Sequence, residues 1–421
     1  MLIVCTLFVA MGYLLKAQCL GPGNFGARSY KDLCYNDLQP LYGARLFRPA
    51  EDGTQQRVFP YVDGAVIDGE LVDGAIEYPV LTGLFMYASG LLVEDADAWL
   101  RISAVLLAPL ALLVAYLLVR MAGARAFMWA AAPALILYAF HNWDLLVVAC
   151  AVAGFWFWRR GSPLAAAVLF GVGAAFKMYP IFFLAPLGLD YLMRGDRKEA
   201  IRSVVAGVGA FLAVNLPFFV MSPGGWFTTY AFHNQRGPNF DTIWCVMRDT
   251  CRSEPFWEPA ELNRLTLVLT VVSFLGVLAY AWSRGRREGT FPGIQTAAAL
   301  LAVFLLWNKV HSPQYTLWLL PMFALVRVNL AWWVAYSLAD LAVYVGVFRW
   351  FYEFSANEQD LPALGLMQTG VWARAALLFA LIVVFLRSVP ATPDEGARLA
   401  LGDWLGQPLR RPAGEDVTAS P

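Results

Sequence analysis

Residues 79–92 read PVLTGLFMYASGLL, and whether this run crosses a membrane fixes the side on which every later loop falls. It is shorter than the about 20 apolar residues a spanning helix needs. It follows a polar stretch, 29–78, holding Asp32, Asp37, Asp52, Asp63, Asp68, Glu70, Asp73 and Glu77 beside Lys31, Arg45, Arg48 and Arg57. Almost everything after it is apolar. The 421 residues are 59% hydrophobic and 15% charged, with a mean hydropathy of +0.55. Soluble domains carry about 25% charged residues, so the balance is that of an all-α polytopic membrane protein. Zero net charge gives no reason to expect a nucleic-acid partner.

Candidate spans are 2–15, 98–119, 126–140, 143–158, 163–177, 179–193, 200–221, 261–283, 292–308, 314–327, 330–352 and 364–386, about twelve in all. The N-terminal run lacks the basic region and small-residue cleavage site of a signal peptide, so it is read as the first membrane helix. If 79–92 is re-entrant or interfacial and the first long loop is outside, the basic clusters fall inside. These are Arg120/Arg125, Arg159/Arg160, Arg194/Arg197/Lys198/Arg202 and Arg284/Arg286/Arg287, with Arg327 and Arg387. That is the positive-inside arrangement, and letting 79–92 cross reverses it. The outer connections then become 16–97, 141–143, 177–179, 222–260, 309–313 and 353–363. They hold nearly every unusual polar cluster, whereas the inner ones hold mainly arginine and glycine. Residues 1–390 are expected to form one membrane domain, and 391–421, rich in Pro, Gly and acidic residues, a disordered cytoplasmic tail.

Each outer cluster has a structural reading beside a chemical one. Asp32 and Asp37 follow the first helix, where a carboxylate can serve as a general base or simply be solvated. Glu77 precedes Pro79, where a helix dipole favours an anion. In HNWD, Asn142 and Asp144 suit the cap of the next helix, although Asp144 falls within a membrane segment's first turn. Lys177 stands alone at the outer end of GVGAAFKMYP and either snorkels or binds an anionic head group. FHNQRGPNFDTIW places His233, Asn234, Arg236 and Asp241 among interfacial aromatics, and Arg236 offers a planar fork for phosphate. WNKVHSPQYTLWLLP packs Asn308, Lys309, His311 and Gln314 into one turn, richer than a connecting turn requires. Asp340, in mid-span, is expected to face the bundle interior.

No cofactor is firmly implied. A divalent metal held by His141, His233 and His311 is conceivable, but nothing in the spacing fixes it. With an oxidising exterior, Cys19–Cys34 and Cys245–Cys251 are candidate disulfides; unpaired thiols are the alternative.

The stretches CYNDLQPLY, EYPVLTGLFMY, NWDLLVVA, GAAFKMYP, FHNQRG and NKVHSPQYTLWLLP, in this order between Cys34 and Pro321, resemble actinobacterial members of glycosyltransferase family 87. The resemblance implies a GT-C-type bundle with interfacial or re-entrant helices in a long first outer loop. It implies a polyprenyl-phosphate sugar donor, mannose above other hexoses, and a lipid-linked or cell-envelope glycan acceptor. An acidic residue essential in that loop matches Asp37. In NKVHSPQY, His311 stands where relatives often have tyrosine. The expected chemistry is an inverting displacement on the extracytoplasmic side of the cell membrane. Asp37 is the base, with Asp32, Glu77 and Asp144 as possible supports. Lys177, Arg236 and Lys309 are candidates for the donor phosphate, and Asn142, His233, Asn234, Asn308, His311 and Gln314 for substrate. The competing class is a transporter or flippase of a lipid-linked saccharide, which needs the same lipid contacts but no base.

Overall fold

A computed structural model describes residues 1–50, 52–247, 257–356 and 361–393. Among these the only strands are two short hairpins in the first loop, where Phe47–Pro49 pairs with Gln55–Arg57 and Ala65–Ile67 with Glu70–Val72. The rest of the regular structure is helical. Five described helical stretches are long and apolar enough to cross a membrane: Ala96–Ala130, Arg197–Met221, Pro259–Glu288, Leu330–Ser355 and Pro362–Arg387. The other apolar helices are shorter, and two expected spans are interrupted. The span 126–140 breaks after Ala130, because Pro133 forces Ala132 into an extended conformation before the Pro133–Tyr138 helix begins. The span 314–327 opens as a 3₁₀ turn and stops at Leu325.

Packing separates two kinds of helix. Thr316–Leu325 is buried at every position, and so is nearly all of Gly293–Trp307. Helices apolar all round belong in a protein core. Arg197–Met221 and Pro259–Glu288 instead turn Leu212, Leu216, Val268 and Leu275 outward, which is the surface a lipid-facing helix presents. The run 79–92 forms an eleven-residue helix, Val80–Gly90, rising about 16 Å, roughly half a bilayer core. Its first turn is fixed from two sides. Thr82 Oγ1 donates to the Phe176 carbonyl (2.7 Å), and Gly83 N–H donates to the Tyr61 hydroxyl (3.1 Å).

The arginine-rich connections gather at one end of the bundle. Arg125 donates to the carbonyls of Phe323, Val326 and Val328. Arg159 donates to those of Met121, Leu325 and Ala391, and Arg284 to those of Leu386 and Ser388. Except for those of Val328 and Ala391, these carbonyls lie at helix C-termini, so the guanidiniums act as caps as well as membrane anchors. Ala391, at the expected start of the tail, is buried, and its N–H donates to the Leu325 carbonyl. The tail expectation for 394–421 lies outside the described residues, as does Glu51 and the stretch 248–256.

The first loop is tied back by a Cys19–Cys34 disulfide closing a separation of 15 residues, a loop size for which chain entropy gives about 3 kcal/mol. The second candidate pair includes Cys251, outside the described residues. Asp52 accepts from Thr54 in a hairpin turn and Asp63 lies 3.6 Å from Arg48, so these acids serve the loop's own folding.

A Cβ on Gly83 would meet the Tyr61 ring and hydroxyl, which are themselves buried. Gly83→Ala is therefore expected to destabilise the protein by about 1–3 kcal/mol, the range for overpacking a filled site, read as a lower melting temperature in detergent. An unchanged melt would show that the Val80–Gly90 helix is not clamped there.

Candidate active site

The helix Leu38–Leu46 starts at Asp37, yet Asp37 does not cap it. Asn36 takes that work. Its side-chain oxygen accepts from Gln39 N–H (3.0 Å), and its amide donates to the Gln39 side chain (2.8 Å), a reciprocal cap. The Asp37 carboxylate is thus free to point elsewhere. It accepts from Asn142 Nδ2 (2.7 Å), while its backbone N–H donates to the His141 carbonyl (2.8 Å). Protein encloses it except toward a cavity of about 600 Å³ that it lines. Burial pushes its carboxyl up to about 6; the Asn142 hydrogen bond and the Lys177 charge oppose that rise.

Asn142 also donates to the Tyr78 hydroxyl (2.9 Å), and behind Tyr78 lies a buried charge pair. Lys177 ends the Pro163–Phe176 helix and Asp144 begins the Asp144–Arg159 helix, and they meet at 2.9 Å with both side chains almost wholly buried. The rings of Tyr78, Tyr315 and Trp318 stand 5.3, 5.0 and 5.5 Å from the ammonium. Trp318 also donates its indole N–H to Asp144 (3.0 Å). A lysine boxed by aromatics with a carboxylate at hand stays charged, and the Asp144 charge holds Lys177 above its ordinary value against desolvation.

The far wall comes from residues 236–241 and 312–314, with Lys309 behind them. Lys309 Nζ donates to the Arg236 carbonyl (2.7 Å), and Asn239 N–H donates to the Lys309 carbonyl (2.9 Å). The Arg236 guanidinium donates to the Asn239 side chain, and Asn239 Nδ2 lies 3.3 Å from Ser312 Oγ. Burial, with the Arg236 charge added, lowers Lys309 to about 8. The segment is pinned from inside the bundle. Arg374 donates to the Asp241 carbonyl (2.7 Å) and lies 3.5 Å from its carboxylate and 3.6 Å from Asp340. Asp340 in turn accepts from Tyr138 (3.0 Å) and Thr316, so it faces the interior with a basic partner.

Of the expected site residues, Asp37, Arg236 and Gln314 line the cavity. Asn142, Asp144, Lys177 and Lys309 stand directly behind its walls. Glu77 pairs with Arg45 (2.7 Å), a cavity residue, and His233 Nε2 meets the Glu77 carbonyl (2.8 Å). Asp32 pairs with Arg28 at the surface (2.8 Å), and Asn234 is exposed and receives Asn263 (2.8 Å). Asn308 and His311 border a separate cavity of about 10 Å³, room for one water, with Asp241 and Arg374. The three histidines engage different partners, Lys16, the Glu77 carbonyl and the Leu305 carbonyl. Among the described residues no cluster of three or more metal-binding side chains forms. Sequence reasoning missed Tyr35, Tyr78, Asn239 and Ser312. All four sit inside stretches that had been singled out for their neighbours, Tyr35 in CYNDLQPLY, Tyr78 in EYPVLTGLFMY, Asn239 in FHNQRGPNFDTIW and Ser312 in NKVHSPQYTLWLLP.

The arrangement offers a carboxylate that ionises near neutrality, a cavity wide enough for a sugar, and fixed positive charge on two walls. Comparison with known proteins adds two similarities. GPI mannosyltransferase 1 of Kluyveromyces lactis is 24% identical over 195 residues, 43% of this chain and 47% of that protein. The aligned region thus spans about half the length of that relative. The family model of glycosyltransferase family 87 matches residues 76–307. That range takes in Glu77, Asn142, Asp144, Lys177, His233, Asn234 and Arg236, while Asp37 and Lys309 stand outside it. With more than half of its length matched, the chain, five of whose described helical stretches are long and apolar enough to cross a membrane, belongs to glycosyltransferase family 87.

Proposed function

We propose that the protein transfers a hexose, mannose in the first instance, from a polyprenyl-phosphate donor to a lipid-linked or cell-envelope glycan acceptor. The donor class follows from the sequence resemblance and the sugar from the name of the relative. The observation that carries the reading is Asp37, an acid at a helix start that leaves the capping to its neighbour and opens into a cavity with Arg236 on its wall. In the reaction the acceptor hydroxyl gives its proton to Asp37 as its oxygen bonds the anomeric carbon. The bond from that carbon to the phosphate oxygen breaks, and polyprenyl phosphate departs with the electron pair. One displacement inverts the anomeric centre. Arg236 receives the phosphate, and Lys309 and Lys177 supply fixed charge behind it, which the growing negative charge of the leaving group requires. Asn142 orients the base; Gln314 contacts substrate. Asp32 and Glu77, each held by an arginine, support the loop.

The bundle is further proposed to cross the cell membrane about twelve times, counting the short core helices, with the cavity on the extracytoplasmic side. The clustering of arginines at the opposite end supports this orientation.

Asp37→Asn keeps the shape and removes the base, so transfer from a polyprenyl-phosphate-mannose donor should fall by about 10²–10⁴-fold while the protein remains folded. Transfer at the wild-type rate would remove Asp37 from the chemistry.

The pH profile follows from two groups. Asp37 accepts a proton only when ionised, so kcat/KM should climb as pH rises through about 6. Lys309 loses its charge above about 8, so the donor KM should rise there. A flat profile between pH 5 and 9, measured with the purified enzyme, would exclude both assignments.

Orientation is tested by single cysteines. Asn234→Cys, exposed at the cavity end, should react with an impermeant thiol reagent on whole cells, and Arg286→Cys, exposed at the other end, should not. The reverse pattern would overturn the orientation.

A further inference from the structure

Lys16, the last basic residue of the Leu2–Ala17 helix, is completely buried and has no part in the chemistry above. Its ammonium has three N–H donors and three acceptors around it: the Tyr35 carbonyl (2.7 Å), the Tyr344 hydroxyl (2.9 Å) and His141 Nδ1 (3.4 Å). The contact with Nδ1 requires the imidazole to be neutral with its proton on Nε2. All three partners are uncharged, which is a costly setting for a cation unless an anion stands near. The carboxylate whose charge acts on it is Asp37, two residues beyond Tyr35.

The grip is wider than one bond. Tyr344, held by Lys16, donates onward to the Leu33 carbonyl (2.7 Å). Leu33 has φ of 59°, a left-handed conformation that costs a non-glycine residue about 1–3 kcal/mol and persists only when its surroundings impose it. Here the carbonyl of Leu33 and that of Tyr35 are both held by the Lys16–Tyr344 pair, and Cys34 between them is in the disulfide. The backbone entering Asp37 is thereby set from the membrane interior.

We propose that Lys16 is a positioning residue. Its side-chain nitrogen holds the strained segment leading into Asp37 so that the carboxylate meets the cavity. The proposal rests on the reading of Asp37 as the base. Other groups around Asp37 act on it as well: Tyr30 and Tyr35 from its own loop, Glu77 and Tyr78 from the turn before Val80, and His141 and Asp144 beyond Asn142. Lys177 faces it from behind Tyr78, and Arg45, Glu70, Arg236 and Asp241 line the same cavity.

The test compares wild type, Lys16→Met, Lys16→Arg and Asp37→Asn as full-length purified enzymes with a polyprenyl-phosphate-mannose donor. Lys16→Met should lower kcat by about 10–100-fold, as small displacements of a catalytic group do, with donor KM changed less than about threefold. Lys16→Arg, which keeps N–H donors for the Tyr35 carbonyl and the Tyr344 hydroxyl, should recover part of the lost kcat. A Lys16→Met enzyme with wild-type kcat overturns the proposal. A second readout does not depend on catalysis. In a Tyr35→Cys background, Lys16→Met should speed maleimide labelling of that cysteine at least about threefold as the segment loosens. Active Asp37→Asn with faster labelling would remove the base but leave the positioning; unchanged labelling with inactive Asp37→Asn would do the opposite.

Discussion

The Lys177–Asp144 pair is the contact on which the cavity end depends. It joins the end of one membrane helix to the start of another, and Tyr78, Tyr315 and Trp318 enclose it from the first loop and the 308–318 turn. A buried pair of this kind is poor evidence of net stability, since desolvating two ions offsets most of their attraction. Its value lies in specificity. Either partner alone would be an uncompensated charge at the membrane face, so alternative packings of these helices are strongly disfavoured. The order of contacts then runs outward: the pair sets Tyr78, Tyr78 sets Asn142, and Asn142 sets Asp37.

This hierarchy explains what was legible in the sequence. The apolar runs announced the helices, and the short length of 79–92 matched its eleven-residue helix. The breaks were less visible: Pro133 interrupts a run whose hydropathy alone reads as continuous. Among the first-loop acids, residue type did not separate Asp37 from Asp52 or Asp63. Family resemblance did, and the structure adds a physical reason, because Asn36 satisfies the helix start. The long-range contacts could not be read. Lys16 and Tyr344 are 328 positions apart, and Arg374 and Asp241 are 133 apart. A lone lysine ending an apolar helix looks like a snorkelling anchor until its acceptors are known.

The two ends of the bundle are built on different logic. At one, guanidiniums close helix C-termini by donating to carbonyls, which satisfies groups that lipid would leave unpaired. At the other, charges are held in pairs or cages around a cavity, with Arg374 and Lys16 reaching from membrane helices into the loops. Both solve the same problem of polar atoms at the edge of an apolar solvent. Only the second leaves a concave, charged surface behind.

The buried lysine beneath the first loop bears on how such proteins can diversify. Loops are ordinarily the exchangeable parts of a scaffold, and a new acceptor preference is sought by grafting them. Here the backbone of residues 33–35 is held by side chains from the first helix and from Leu330–Ser355, and residues 236–241 by a side chain from Pro362–Arg387. A transplanted loop would arrive without the cations that shape it. Recombination between relatives is therefore constrained to exchange loop and helix together, and the unit of inheritance for specificity is the grip as much as the surface it holds.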